Sequence, residues 1–178
     1  MKKFTNIGLV IADVQEYAPI SDMCEKYGGG VTEQYGDKLT AFEYKRGEAS
    51  VKISAVLCGI GKVNASAATA YLISSAGCDA IINSGLSGGI ASVRRGDYTI
   101  GTEYTEHDFD VSPLGYKKAF KPDQDCYIYK PDGRLFEAFA KIDGIIPGPM
   151  VCGDQFVGSD EAKRHIKNEF GAVSCDME

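Results

Sequence analysis

Histidine is scarce in this chain, with two residues in 178, and no C-x-x-C pair occurs among the cysteines at 24, 58, 78, 126, 152 and 175. That spacing argues against zinc sites, redox dithiols and a disulfide framework, and leaves the cysteines as small buried hydrophobes. Positive charge is short as well: nineteen lysines and arginines face twenty-five acids, for a formal net charge of −6. Non-specific nucleic-acid binding rests on the opposite balance. Long apolar runs are missing too. The opening "MKKFTNIGLVIADVQEY" has two lysines but only a six-residue apolar run, broken by Asp13. That is too short for a secretory signal, and no stretch approaches a membrane span. No repeat, low-complexity segment or composition shift divides the chain. The expectation is one cytoplasmic domain over 1–178, with no nucleic-acid or membrane partner.

What is present is an alternation of apolar runs and helical patterns. "IGLVIA" (7–12) suits a strand buried on both faces, and "VQEYAPISDMCEKYG" follows as a helix that Pro19 shortens or kinks. "AFEYKRGEASVKISAVLCG" (41–59) reads as a hairpin turning near Gly47. In "GKVNASAATAYLISSAG" (61–77), Val63, Ala67, Ala70 and Tyr71 share one helical face. "DAIINSG" (79–85) is a further buried strand, and "RGDYTIGTEYTEHDF" a longer, partly exposed one. A polar stretch (112–133) leads to a short helix, the strand "GPMVCGD" (148–154) and the helix "SDEAKRHIKNEFG". Ser159 caps that helix, Asp160 and Glu161 suit its positive end, and Gly171 stops it. "AVSCDM" is a last strand. The pattern implies a three-layer α/β/α domain around a mixed central sheet that includes 7–12, 79–84 and 172–177.

Single motifs decide little. "CGIGKVNAS" has Val56 and Val63 where a Walker A loop needs Gly and Ser or Thr, so it reads as a tight strand-to-helix turn. "NSGLSGGI" (83–90) does not match G-x-G-x-x-G. It is either a sharp turn or a backbone floor beneath a flat ligand. His107, alone among acids in "EYTEHDFD", reads as a surface or structural residue. Glu16, judged alone, reads as a solvated acid at a helix start.

In order and in register, however, "IGLVIADVQEY", "CGIGKVNASAATAYLI", "DAIINSGLSGGI", "RGDYTIGTEYTEHDFDVSPLGY" and "VCGDQFVGSDEAKRHIKNEFGAVSCDME" resemble one family. It is the 5′-methylthioadenosine/S-adenosylhomocysteine nucleosidases of the purine nucleoside phosphorylase superfamily. The resemblance implies that Glu16 binds and deprotonates the attacking water. Met177 and Glu178 match the family's "ME" pair, the methionine under the ribose and the glutamate on its hydroxyls. Phe156 and Val157 match the residues that stack on adenine and bond it through the backbone. Leu86, Ser87 and Gly88 fall in the glycine-loop floor of the pocket. Val111, Leu114 and Tyr116 match a segment that crosses to a neighbouring subunit and covers the alkylthio group, which implies a homodimer. The resemblance implies an adenine nucleoside as the small-molecule partner, with no cofactor and no metal. Two positions depart from the pattern: Asp13 replaces a methionine, adding a charge near the water site, and Leu86 replaces a small or hydroxyl residue.

These residue types suit the chemistry. Cleaving a ribose–adenine bond passes through an oxocarbenium-like sugar, which an acid near the ring hydroxyls stabilises. A carboxylate positions and deprotonates water. A phosphorylase needs cations around its phosphate, yet "IADVQEY" and "NSGLSGGI" contain no arginine or lysine, and Arg94 and Arg95 come later. The family's acid for adenine lies in an S-D motif on a further strand followed by a long helix. Nothing before Glu178 matches that segment, so the resemblance implies a domain lacking the family's last strand and helix. Hydrolase and catalytically impaired nucleoside-binding relative both stay open, with phosphorylase third. The expectation for the shortened chain is binding better retained than hydrolysis. If another residue replaces the missing acid, Asp154 is the first candidate.

Overall fold

A computed structural model describes residues 3–34, 36–124 and 126–178. The chain forms two compact units, one running to Leu86 and including Glu178, the other Ser87–Met177.

The first unit contains β1 (Asn6–Ile11), α1 (Val14–Lys26), β2 (Gly30–Gln34), β3 (Asp37–Arg46), β4 (Ala49–Leu57), α2 (Lys62–Ser74) and β5 (Ala80–Asn83). Its strands form a mixed sheet in the order β2-β3-β4-β1-β5. β1 runs parallel to both β4 and β5, and β2, β3 and β4 form antiparallel pairs. Period-two alternation gives β1 and β4 two apolar faces. Val10 and its partner Val56 pack with Ala65, Ala68 and Leu72 of α2. Ile11 and Ala55, pointing the other way, pack with Tyr17 of α1, joined by Leu9, Ile20 and Leu57. Helices therefore cover both faces of this sheet. The α/β/α layering expected from the alternation is present here.

Two local readings change. The buried face of α2 is Ala65, Ala68 and Leu72, with Tyr71 at its margin, whereas Val63 is 79 % exposed. An alanine-rich helix has no steep apolar gradient to fix its phase, so the largest inward residue, Leu72, decides it. Pro19 neither ends nor divides α1, which continues through it to Lys26. It cannot donate to the Gln15 carbonyl one turn back. The hairpin is as expected: Arg46 pairs with Ala49 across a turn in which Gly47 takes φ +60°.

The second unit contains β6 (Gly88–Gly89), β7 (Tyr98–Glu106), a 3-10 turn (Ser112–Leu114), α3 (Gly133–Ala140), β8 (Ile145–Cys152), α4 (Asp160–Phe170) and β9 (Ser174–Asp176). These strands form a second mixed sheet, ordered β6-β9-β8-β7. This corrects the expectation that 172–177 shares a sheet with 7–12 and 79–84. β9 has both sides occupied, by β6 antiparallel and β8 parallel, and so has no ladder position left for β5. α4 begins and ends as its sequence dictates. The Ser159 hydroxyl accepts from the Ala162 N–H at 3.1 Å, and Gly171 closes the helix at φ +63°. Ile166 anchors α4 on Val151, Ala172 and Cys175. Among the described residues no helix is long and apolar enough to cross a membrane.

Candidate functional site

In the first unit three parallel strands end side by side. Ile11 of β1 is level with Leu57 of β4, and Val10 with Asn83 of β5. Ligands of parallel α/β sheets sit beyond such carboxyl ends. The chain leaves each end through a tight connection: Asp13 into α1, Cys58–Gly61 into α2, and Ser84–Leu86 after β5.

Glu16 stands over the first of these ends. Asp13 is the N-cap of α1, its carboxylate accepting from the Gln15 N–H at 2.7 Å, and Glu16 Oε2 accepts from the Asp13 N–H at 3.3 Å. This is a reciprocal capping box. Asp13 thus serves the positive end of a helix rather than standing as a loose extra charge. The other oxygen, Glu16 Oε1, accepts from the Leu86 N–H at 2.7 Å. A Cβ on Gly85 would lie 2.9 and 3.0 Å from the two carboxylate oxygens. Glycine at 85 is therefore what lets the loop after β5 close against the acid. Leu86 contributes its N–H while its side chain is 82 % exposed.

Glu178 belongs to the same unit. Its Oε1 accepts from the Gly61 N–H at 3.2 Å, at the start of α2. Cys58 follows the end of β4. Its N–H donates to Ile11 O at 2.9 Å, and its thiol points to Ile11 O at 3.5 Å and Gly59 O at 3.3 Å. Burial, reinforced by the charges of Asp37, Glu178 and Glu16, pushes that thiol up to about 11. Burial is the main cause, and the acids add to it.

The second unit carries the remaining candidates. Gly88 pairs with Cys175, and the Ser87 hydroxyl donates to Cys175 O at 3.0 Å, fixing the glycine loop on β9. Phe156 is 87 % exposed, and Val157 packs on the core around Ile166. Both line a cleft of about 300 Å³ with His107, Asp108, Lys118 and His165. Met177, next to β9, is half-buried. Val111 leads into the 3-10 turn, where Leu114 is 74 % exposed, and Tyr116 stacks on Phe120 with ring centroids 5.3 Å apart. His107 is buried, which removes the surface half of its expected role. Asp154 donates its N–H to Asp108 Oδ2 at 2.8 Å. Among the described residues no cluster of three or more His, Cys, Asp or Glu is placed to hold a metal ion.

Three contributors escaped the sequence reading: Cys58, Gly61 and Gly85. Two of them work through backbone or through a missing side chain, and only their glycines in strand-to-loop turns signalled them. The thiols give a direct check. Burial, with Asp176 and Asp108 nearby, pushes Cys175 up to about 12. At pH 8 a small alkylating reagent is expected to modify the exposed Cys126 first and to leave Cys58 and Cys175 intact until the chain unfolds. Unfolded thiols ionise near 9, below the folded values of Cys58 and Cys175. The unfolded chain then binds fewer protons, and stability falls as pH rises from about 9 toward 11. Mass spectrometry of the labelled peptides and melting across this range test both statements.

Comparison with known proteins supplies an independent line. A family model described as Phosphorylase superfamily matches residues 6–178. A 5′-methylthioadenosine/S-adenosylhomocysteine nucleosidase of Actinobacillus succinogenes is 33 % identical over 176 residues, covering 95 % of this chain and 73 % of the relative. One from Shewanella pealeana is 31 % identical, covering 97 % and 75 %. The crystal structure of the Neisseria meningitidis nucleosidase, in complex with methylthio-immucillin-A, matches with a TM-score of 0.84 and 30 % identity. It covers 98 % of this chain and 76 % of its own.

Proposed function

The chain belongs to the phosphorylase superfamily and, within it, to the 5′-methylthioadenosine/S-adenosylhomocysteine nucleosidases; from that premise we propose that it hydrolyses the N-glycosidic bond of these nucleosides and releases adenine. The observation that carries the assignment to this site is the double anchoring of Glu16. Its two oxygens are held by N–H groups at the start of α1 and after β5, so the carboxylate is fixed where three strand ends meet. Each carboxylate oxygen retains a second lone pair, and one of these takes the proton from a bound water as it attacks the anomeric carbon.

Glu178 acts on the sugar. Hydrogen bonds from the ribose hydroxyls to its carboxylate strengthen as the ring gains positive charge, which lowers the barrier rather than only tightening binding. The family resemblance assigns Met177 to the ribose, the Leu86–Gly88 loop to the pocket floor, and Phe156 with the Val157 backbone to adenine. Water is favoured over phosphate because neither loop flanking Glu16 carries an arginine or lysine. The Actinobacillus and Shewanella relatives, named as nucleosidases, favour the hydrolase over a non-catalytic nucleoside-binding relative.

The exposed Leu114 and the Tyr116 ring support the further reading of a homodimer in which this segment covers the neighbour's alkylthio group. No cofactor is used, and the enzyme works in the cytoplasm. Incubation with 5′-methylthioadenosine is expected to release adenine and methylthioribose in equal amounts, and light scattering to give twice the chain mass. Intact nucleoside after prolonged incubation would contradict the activity, and a monomer mass the dimer.

A further inference from the structure

α2 starts without the usual devices. Its N-cap is Gly61, which has no side chain to cap with, and its first turn holds no acid. Yet a carboxylate is present at that end, brought from the far end of the sequence: Glu178 Oε1 accepts from the Gly61 N–H at 3.2 Å. Gly61 presents that N–H from φ +110° and ψ 149°, a conformation open to glycine and strained for any side-chain-bearing L residue. The turn is stiffened from within. Asn64 Nδ2 donates to Ile60 O at 2.8 Å, the Ala65 N–H donates to Gly61 O at 3.0 Å, and Gly59 takes φ +83°. Glu178 itself follows β9 and lies in no helix or strand. Its orientation therefore depends on what grips its carboxylate.

We propose that Gly61 is a positioning residue for Glu178: its N–H fixes one carboxylate oxygen and so sets the angle at which the acid meets the ribose hydroxyls. The assignment rests on the ribose role given to Glu178 above. It also explains why a loop with the outline of a phosphate cradle carries no phosphate-binding signature. Its backbone donor is used by a carboxylate of the protein. A hydrogen bond to a charged acceptor is stronger than a neutral one.

The test compares 5′-methylthioadenosine with its 2′-deoxy and 3′-deoxy analogues, in the unsubstituted protein and in Gly61→Ala and Gly59→Ala. The two glycines share one turn and both have positive φ, but Gly59 makes no bond to Glu178. The unsubstituted protein is expected to favour the ribonucleoside. Gly61→Ala is expected to reduce that preference in kcat/KM roughly tenfold, with part of the loss in kcat, whereas Gly59→Ala lowers turnover of all three nucleosides alike. Preference that survives Gly61→Ala, or is lost equally in Gly59→Ala, overturns the assignment alone. An unsubstituted protein that treats the three nucleosides alike overturns the ribose role of Glu178 and this assignment with it. A second measurement needs no change at Gly61. The amide proton of Gly61, bound to a carboxylate, is expected far downfield and to move upfield in Glu178→Ala. An unchanged resonance also overturns the assignment.

Discussion

Glu16→Gln is expected to slow adenine release by about 10²–10⁴-fold, the range typically lost with a general base, in a chain that still folds. Glutamine keeps the size of the side chain but has one acceptor oxygen where glutamate has two. Both glutamate oxygens accept backbone N–H groups, from Leu86 at 2.7 Å and from Asp13 at 3.3 Å. The amide must turn its own N–H₂ toward one of these donors and leave it without its acceptor, a loss of about 1–3 kcal/mol. The melting temperature is therefore expected to fall by several degrees while the fold persists, as read by circular dichroism. Gly85→Ala is the complementary change, since the base remains but its place is taken. The new Cβ would lie 2.9 Å from a carboxylate oxygen, and that oxygen ends a flexible side chain that can give way. Turnover is expected to fall by about 10²-fold through misplacement, with a smaller effect on melting. Full activity in either variant would mean that water is activated elsewhere.

Glu178→Ala is expected to lower kcat/KM by about 10²–10³-fold, the usual loss when a group aimed at transition-state charge is removed. Part of this appears in kcat, because the sugar is most cationic at the transition state. The fold is affected little: the side chain is only half-buried, and it donates no contact to the apolar clusters of the first unit. Loss of the acceptor for the Gly61 N–H at the start of α2 is expected to cost about 1 kcal/mol, and no more. A loss of activity matched by a large drop in melting temperature would assign Glu178 a structural role instead.

The elements legible in the sequence are those whose signals are local. β1 and β5 are short apolar runs between turn residues, and α4 carries Ser159, an acidic first turn and Gly171 at its end. The division into two sheets was not legible, because β6 is a Gly-Gly pair that carries no apolar pattern, and it is β6 that closes one side of β9. β2 was missed for a similar reason, since "GVTEQ" is mostly polar and exposed. At the site, Glu16 and Glu178 were given their roles by resemblance, and Glu16 judged alone looked like a solvated acid at a helix start. What holds them was invisible for a physical reason. The Leu86 and Gly61 donors are main-chain N–H groups that almost any residue could supply, so sequence identity does not report them. Only the glycines at 61 and 85 leave a trace, one by its φ, the other by the space it vacates.

The most direct test is the identity of the sugar product formed from 5′-methylthioadenosine in buffers with and without inorganic phosphate. With Glu16 activating water, adenine is released at the same rate in both, and the sugar is free methylthioribose. Adenine release that requires phosphate and yields methylthioribose 1-phosphate would contradict the account.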